Sequence, residues 1–359
     1  MIIIGGGIIG MLTARELSMA GVDVLVIERG PLGGESSWAG GGIISPLYPW
    51  RYSKAVNQLA EISKTIYPGL AQQLLDESGI DCELINSGLL CTGLDERQQA
   101  ESWAREWPVE LHTITDVNHI QEVEPRVSAA IDSGLWMPDI MQIRNPKLVK
   151  ALKGSLDRLG INYIEHVPVT GLVIESGVIK GVKTAADTYR SDKVIIASGA
   201  WSSGFIRDEK NVDVEPVKGQ MIMFRGEPGL IRRMVLSSGH YIFPRKDGRV
   251  LAGSTLERTG FDKTVTDDAM VELRRAAVEI IPALADMKIE RQWAGLRPGT
   301  EQGIPYICKH AEIDGLYINA GHYRNGVVLG AASVRLMVEL VQGSKPSIDA
   351  APYALDAEH

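Results

Sequence analysis

The residues predict an α/β fold, α+β overall, in which a Rossmann-type domain is interleaved with a domain rich in antiparallel sheet. Three observations carry this prediction: an apolar strand that runs into a glycine turn at the amino terminus, a second apolar strand ending in small residues near position 200, and a strand–loop–helix unit near position 320. The 359 residues, 45% hydrophobic and 23% charged, suffice for two domains. A formal net charge of −8 without any basic run argues against nucleic acid or an anionic membrane surface as partner. No apolar stretch approaches the roughly 18 uncharged residues of a spanning helix. Met1 opens directly into a core strand rather than a leader, so a cytoplasmic protein is expected. Cys82, Cys91 and Cys308 lack CxxC spacing or a neighbouring histidine pattern, which predicts buried thiols and no metal site.

The first unit reads Ile2-Ile3-Ile4, then Gly5-Gly6-Gly7-Ile8-Ile9-Gly10, a helix stopped by Gly21, a strand over 22–27, and an acid, Glu28. That order is the fingerprint of a dinucleotide site: Gly5 permits the tight turn, Gly7 lets the backbone approach a pyrophosphate, and Gly10 lets the helix pack closely on the sheet. The helix start offers free N–H groups to phosphate. Glu28 is placed to accept from a ribose hydroxyl, which disfavours a 2′-phosphate and hence NADP.

Beyond it, small and hydroxyl residues from Gly33 to Gly42, followed by Ile43-Ile44, predict a packed segment lying against a flat ligand. An amphipathic surface helix is expected over 53–78, and short strands and turns of an inserted unit over 85–141. A helix over 146–159 precedes Asn162-Tyr163-Ile164 and a hairpin over 169–182 with its turn at Glu175-Ser176-Gly177. Lys193 to Trp201 forms a second buried parallel strand whose small carboxyl end admits a ligand. Strands dominate 214–256, a helix covers 267–281, and the strand Leu316 to Ala320 leads through Gly321-His322-Tyr323-Arg324-Asn325-Gly326 into a helix over 327–341, after which a loose tail is expected from Gly343.

The last helix directs its positive end at whatever the 321–326 loop holds, which suits the negative charge a reduced flavin ring develops and is superfluous for NAD. Outside the nucleotide turns, Arg297, Tyr241 and Arg324 read as a carboxylate clamp. Pro298 keeps Arg297 extended, although an interdomain salt bridge is open for it, and packing for Tyr241. His240 and His322 invite a general-base role; for His322 a backbone hydrogen-bonding role beside the glycine turn is the better reading. No Ser/His/Asp order or P-loop competes, so hydride transfer is the expected chemistry.

Together with Val194 to Trp201, Pro216-Val217-Lys218-Gly219-Gln220, Tyr241-Ile242-Phe243-Pro244-Arg245 and Trp293-Ala294-Gly295-Leu296-Arg297-Pro298-Gly299-Thr300, these segments are similar, over nearly the whole chain, to the glycine oxidase (ThiO) branch of the D-amino-acid oxidase-like flavoproteins. The resemblance implies an FAD-binding domain (1–84, 143–213 and 296–359) and a substrate-binding domain (85–142 and 214–295). By position it implies FAD contacts from Ile8, Ile9, Glu28, Arg29, Ser36, Ser37, Gly41, Gly42, Ile43 and Val169, and from His322, Tyr323, Arg324, Asn325, Gly326, Val327 and Val328. Arg297 and Arg324 take the substrate carboxylate with Tyr241 beside them. The implied reaction is oxidative deamination of glycine, sarcosine or small D-amino acids, with O2 reduced to H2O2, supplying a glycine imine for the thiazole of thiamine. The implied assembly is a homo-oligomer, a tetramer, with a thiazole synthase downstream. A D-amino-acid dehydrogenase of the same fold is the alternative. No cysteine stands near Arg297, so the FAD is expected to be non-covalent; Gly239 and Leu256 depart from bulkier or more polar residues of some relatives and leave pocket size open.

Overall fold

In the computed structural model, which describes residues 1–93, 95–206 and 213–357, two sheets organise the chain. The first has six strands in the order Tyr306–Lys309, Leu316–Ala320, Val194–Ile196, Ile2–Ile4, Leu25–Ile27, Asn162–Ile164. All neighbours are parallel except the outermost pair, Tyr306–Lys309 against Leu316–Ala320. These strands are apolar throughout because both faces are covered. Ile3 and Ile195 point into a core with helices Ile8–Met19, Lys54–Ser78, Asn145–Arg158 and Gly326–Gln342, whereas Ile2, Ile4, Val194 and Ile196 meet Leu172, Ile179 and Val182 of a three-stranded sheet on the opposite side. The hairpin of that small sheet turns at Ser176 (φ 51°) and Gly177 (φ 76°), the positive pair a type I′ turn requires.

The second sheet has eight strands in the order Ile289–Gly299, Glu215–Arg225, Arg249–Gly253, His240–Pro244, Met234–Ser237, Leu89–Thr92, Gly134–Met137, His112–Ile114. It is antiparallel apart from the Met234–Ser237/Leu89–Thr92 pair. Alternation sorts its faces: Ile222, Phe224, Ile242 and Val250 pack with Leu273 and Ala277 of helix Asp267–Ile280, while Met221, Tyr241, Phe243 and Leu251 turn the other way. The strand Ile289–Gly299 runs past residue 295, so Arg297 stands on this sheet.

Three expectations need correction. The strand expected over 22–27 is paired only at Leu25–Ile27. The 85–141 region holds helices Arg97–Glu106 and Val117–Val123 as well as strands, the first burying Ala100 and Trp103 at helical spacing within a polar surround that hides the period. The 53–78 segment forms the amphipathic helix expected, capped by Ser53: Tyr67, Leu70 and Leu74 enter the core shared with the first and last long helices, while Pro68, Gln72, Gln73 and Asp76 are exposed. The tail after Gly343 is also anchored, because Tyr353 is fully buried and donates its hydroxyl to the Ala55 carbonyl at 2.9 Å. One buried aromatic outweighs the Gly, Ser and Pro around it. Tyr353→Ala is expected to cost about 3–5 kcal/mol of unfolding free energy in denaturant titration; a loss under about 1 kcal/mol would show the tail to be a passive appendage.

Candidate active site

The order of the first sheet reverses between Ile2–Ile4 and Val194–Ile196, and a cavity opens beyond the carboxyl ends of these two strands, the place where open α/β sheets bind ligands. Gly5 adopts φ 104°, and a Cβ there would stand 2.8 Å from the Ala197 carbonyl carbon and 2.9 Å from Ser198 Cα. The turn therefore crosses the neighbouring strand end without side chains between them. The Glu28 carboxylate accepts from the Gly6 N–H at 2.7 Å and the Gly30 N–H at 2.9 Å, so it braces the turn in addition to lining the cavity. Ser37 Oγ accepts from the Ile8 N–H at 2.8 Å, capping helix Ile8–Met19 from outside, while the Ser36 hydroxyl donates to the Leu296 carbonyl on the second sheet.

Every residue singled out from the sequence as a cofactor or clamp contact lines this one cavity of about 530 Å³, with the exception of Gly10. A Cβ on Gly10 would collide with the Gly5 carbonyl, so Gly10 closes the turn rather than touching a ligand. At the other end the helix Gly326–Gln342 begins with neither a side-chain cap nor an acid in its first turn, and Gly326, Val327 and Val328 present it to the cavity. Three buried polar atoms of wall residues have no hydrogen-bond partner among the described residues, Asn145 Oδ1, Asn319 Nδ2 and Asn325 Nδ2. Buried polar atoms of this kind find their partner in water or a ligand. Near Arg29 the wall is aromatic, with the guanidinium 3.3 Å over the Trp201 ring.

Arg297 is half-buried, donating from Nη1 to the carbonyls of Lys218 (3.2 Å) and Thr255 (3.3 Å) and from Nη2 to Ser254 Oγ (2.6 Å). All its partners are neutral, and among the described residues neither Arg297 nor Arg324 has a carboxylate in ion-pair range. The salt-bridge alternative for Arg297 is thereby set aside. Loss of hydration holds its guanidinium below the ordinary value, Tyr241 opposing and the charge of Arg324 reinforcing the shift. Tyr241 stacks on Phe243 at 4.7 Å and 13°, with its hydroxyl 3.6 Å from Met221 Sδ. Arg324, more exposed, lies over the Tyr323 ring and also borders a second cavity of about 730 Å³ that shares Leu47, Ser254 and Tyr323. Gly239 and Leu256 border that second cavity, as does His240, 3.6 Å from Glu272.

Several residues of the site have no signal in local sequence. Gly219 leaves room for the Arg297 guanidinium, which a Cβ would overlap, and Gly253 does the same for the Tyr241 ring. Buried Lys218 pairs with Glu257 at 3.0 Å, and Glu257 also accepts from Gln220 and Thr255, fixing the segment whose carbonyl and hydroxyl hold Arg297. Tyr52, near both arginines, is kept protonated by burial, which the charge of Arg324 opposes. Asn145 carries one local signal, its position before Pro146 at a helix start; the others depend on strand register.

His322 is 2% exposed, and its Nε2 lies 2.8 Å from Ser333 Oγ, which itself donates to Asn319 Oδ1 at 2.7 Å. Burial pushes its pKa down to about 3, so the ring is a neutral hydrogen-bonding group held by a side chain. The unfolded chain takes up this proton below its ordinary value near 6.5 while the folded protein does not, so stability is lost as the pH falls from about 6.5 towards 3. Relative to His322→Gln, the wild type should lose up to ~1.4 kcal/mol more per pH unit across that window. Parallel stability curves in denaturant titrations at pH 7, 6 and 5 would contradict the assignment.

Comparison with known proteins agrees with this geometry. A family described as FAD dependent oxidoreductase (DAO) matches residues 1–340. The glycine oxidase of Pseudomonas aeruginosa is 46% identical over 356 residues, 99% of this chain and 98% of that protein. The crystal structure of glycine oxidase from Geobacillus kaustophilus superposes with a TM-score of 0.94 at 29% identity, covering 100% of this chain and 98% of that one. The bifunctional ThiO/ThiG protein of Nostoc sp. is 27% identical over 350 residues, 96% of this chain and 53% of its own length. With a nucleotide turn at the switch point, an uncapped second helix start on the same cavity and this likeness along nearly its full length, the chain belongs to the FAD-dependent oxidoreductase (DAO) family.

Proposed function

We propose that this protein oxidises glycine and other small amines or D-amino acids, sarcosine and D-alanine among them, to the imine, with O2 as electron acceptor. The observation that carries the reading is a pair of guanidinium groups, Arg297 and Arg324, without carboxylate partners among the described residues, on the wall of a cavity that begins at a dinucleotide turn. FAD fits that cavity: the turn at Gly5 to Gly7, the uncapped start of helix Gly326–Gln342 and the unpartnered Asn145 and Asn319 atoms supply donors and acceptors along its length. No cysteine lines the cavity among the described residues, which supports non-covalent binding. Bound FAD supplies the hydride acceptor at N5 and passes the electrons to O2, yielding H2O2.

The protein's own part is positioning. Arg297 and Arg324 take the substrate carboxylate, and Arg297 does so from a fixed orientation because three neutral acceptors already hold its fork. Tyr241 offers its hydroxyl at the same place. His322 is committed to Ser333 and neutral, so it accepts no substrate proton; the amine is bound in its neutral form. We assign the segments 1–84, 143–213 and 296–359 to FAD and 85–142 and 214–295 to substrate, with the strand Ile289–Gly299 joining the two. The same reading places the enzyme in the cytoplasm as a homotetramer that supplies a thiazole synthase, supported by the family resemblance and by the two-part ThiO/ThiG relative.

Anaerobic addition of glycine should bleach the yellow protein, and under air the same addition should give stoichiometric H2O2. Bleaching without peroxide would replace the oxidase with a dehydrogenase of the same fold, and no bleaching by glycine, sarcosine or D-alanine would remove the proposal. Arg297→Ala should raise KM for glycine roughly 10- to 100-fold with FAD retained. Gly219→Ala, which leaves the guanidinium chemically intact and displaces it, should raise KM in the same direction; unchanged saturation kinetics in both variants would take the carboxylate away from Arg297.

A further inference from the structure

A second arginine is buried without a counter-ion. Arg245, at the end of strand His240–Pro244, is 6% exposed and makes no ion pair among the described residues. Its Nη2 donates to the Gly41 carbonyl at 2.6 Å, and its Nη1 to Gln142 Oε1 at 2.9 Å and the Ile143 carbonyl at 3.3 Å. Burying a cation against neutral acceptors is costly, so the three bonds are what the fold obtains from it. All three acceptors belong to two paired segments, 41–44 and 141–143: Ile143 N–H donates to the Gly42 carbonyl at 2.7 Å, and Ile44 N–H to the Met141 carbonyl at 2.9 Å. Gly41, Gly42 and Ile43 line the cavity directly. Arg245 thus fastens, from the second sheet, a wall segment that belongs to the first unit of the chain.

The same strand carries two more contacts to that wall and to the clamp. A Cβ on Gly41 would overlap the Phe243 ring, so that ring occupies the space a side chain at Gly41 would take. Phe243 stacks on Tyr241, and the Tyr241 ring lies against Gly253, whose neighbour Ser254 accepts from Arg297. The residues alternate along one strand face, so Arg245, Phe243 and Tyr241 form a continuous row from the FAD-facing segment to the carboxylate clamp.

We propose that Arg245 is a positioning residue for the FAD-facing segment Gly41 to Ile43, and that Phe243 and Tyr241 relay the placement of that segment to Arg297. The inference rests on the FAD reading of the cavity and not on the identity of the amine. Residues that support a site through a second layer of contacts set its geometry without touching ligand.

The test compares the holoenzyme with Arg245→Met, Arg245→Lys and Phe243→Leu. Three quantities are read: FAD released on dilution, from the recovery of free-flavin fluorescence; the visible circular dichroism of the bound flavin; and KM against kcat for glycine. Arg245→Met should release FAD at least tenfold more readily and change the flavin dichroism. Arg245→Lys, which keeps the charge but cannot reach both carbonyls, should fall between. Phe243→Leu should keep FAD and raise KM several-fold with kcat less affected. If Arg245→Met lowers only the melting temperature, leaving FAD retention and dichroism as in the wild type, Arg245 is a brace for the fold and the proposal is wrong. Should the Met variant fail to fold, wild-type retention and dichroism in Arg245→Lys overturn it equally, and an unchanged KM in Phe243→Leu overturns the relay. The first two readouts need no turnover, so they stand apart from the question of whether glycine is the substrate.

Discussion

The site depends on a positive charge that the protein leaves uncompensated. The Arg297 guanidinium, deprived of much of its water, is satisfied by two backbone carbonyls and one hydroxyl rather than by an acid. Carbonyl dipoles orient the fork and lower the cost of desolvation, yet they leave the net charge available to a ligand. An acid at the same place would complete the ion pair internally and close the site to a substrate carboxylate. Much of the surrounding structure can be understood as keeping that charge open and still: Gly219 clears its space, and the Lys218–Glu257 pair consumes the nearby acid.

The two sheets contribute unlike things to the cavity. The parallel sheet supplies backbone: a glycine turn, helix starts and strand ends that approach a ligand without side chains. The antiparallel sheet supplies side chains, because its alternation sends Met221, Tyr241 and Phe243 to the cavity side while Ile222, Ile242 and Phe224 build a separate core with the helix Asp267–Ile280. Under the proposed function, a cofactor held mainly by backbone and a substrate held mainly by side chains would meet where the sheets join. Ser36, bonded to the Leu296 carbonyl, Trp293 Nε1, bonded to the Ala39 carbonyl at 2.9 Å, and Lys263, 2.8 Å from Glu35, tie that junction together.

The neutral His322 fits the same economy of charge. Its burial, its bond to Ser333 and the onward bond to Asn319 make it part of the frame beneath the last helix start, where a cation would oppose the helix dipole.

What the sequence by itself determined is the part of the protein ruled by local periodicity. The strands Ile2–Ile4, Val194–Ile196 and Leu316–Ala320 are apolar runs because both faces are buried, the turn at Gly5 needs a positive φ, and the long helices announce themselves by spacing and caps. The glycine turn and the loop before the last helix were legible for the same reason, since they follow those strand ends, whereas Arg29 and Val169 entered only through the family resemblance. Only the tertiary structure decided which groups keep one another company. The bonds of Glu28 to Gly6 and Gly30, the closure of Gly10 on Gly5, the burial of Tyr353 against Ala55 and the three acceptors of Arg297 join atoms across turns or across distant segments. Gly219 matters to Arg297 because the strands Glu215–Arg225 and Ile289–Gly299 pair in one antiparallel register, and a register is a property of two segments meeting that neither segment's own spacing contains.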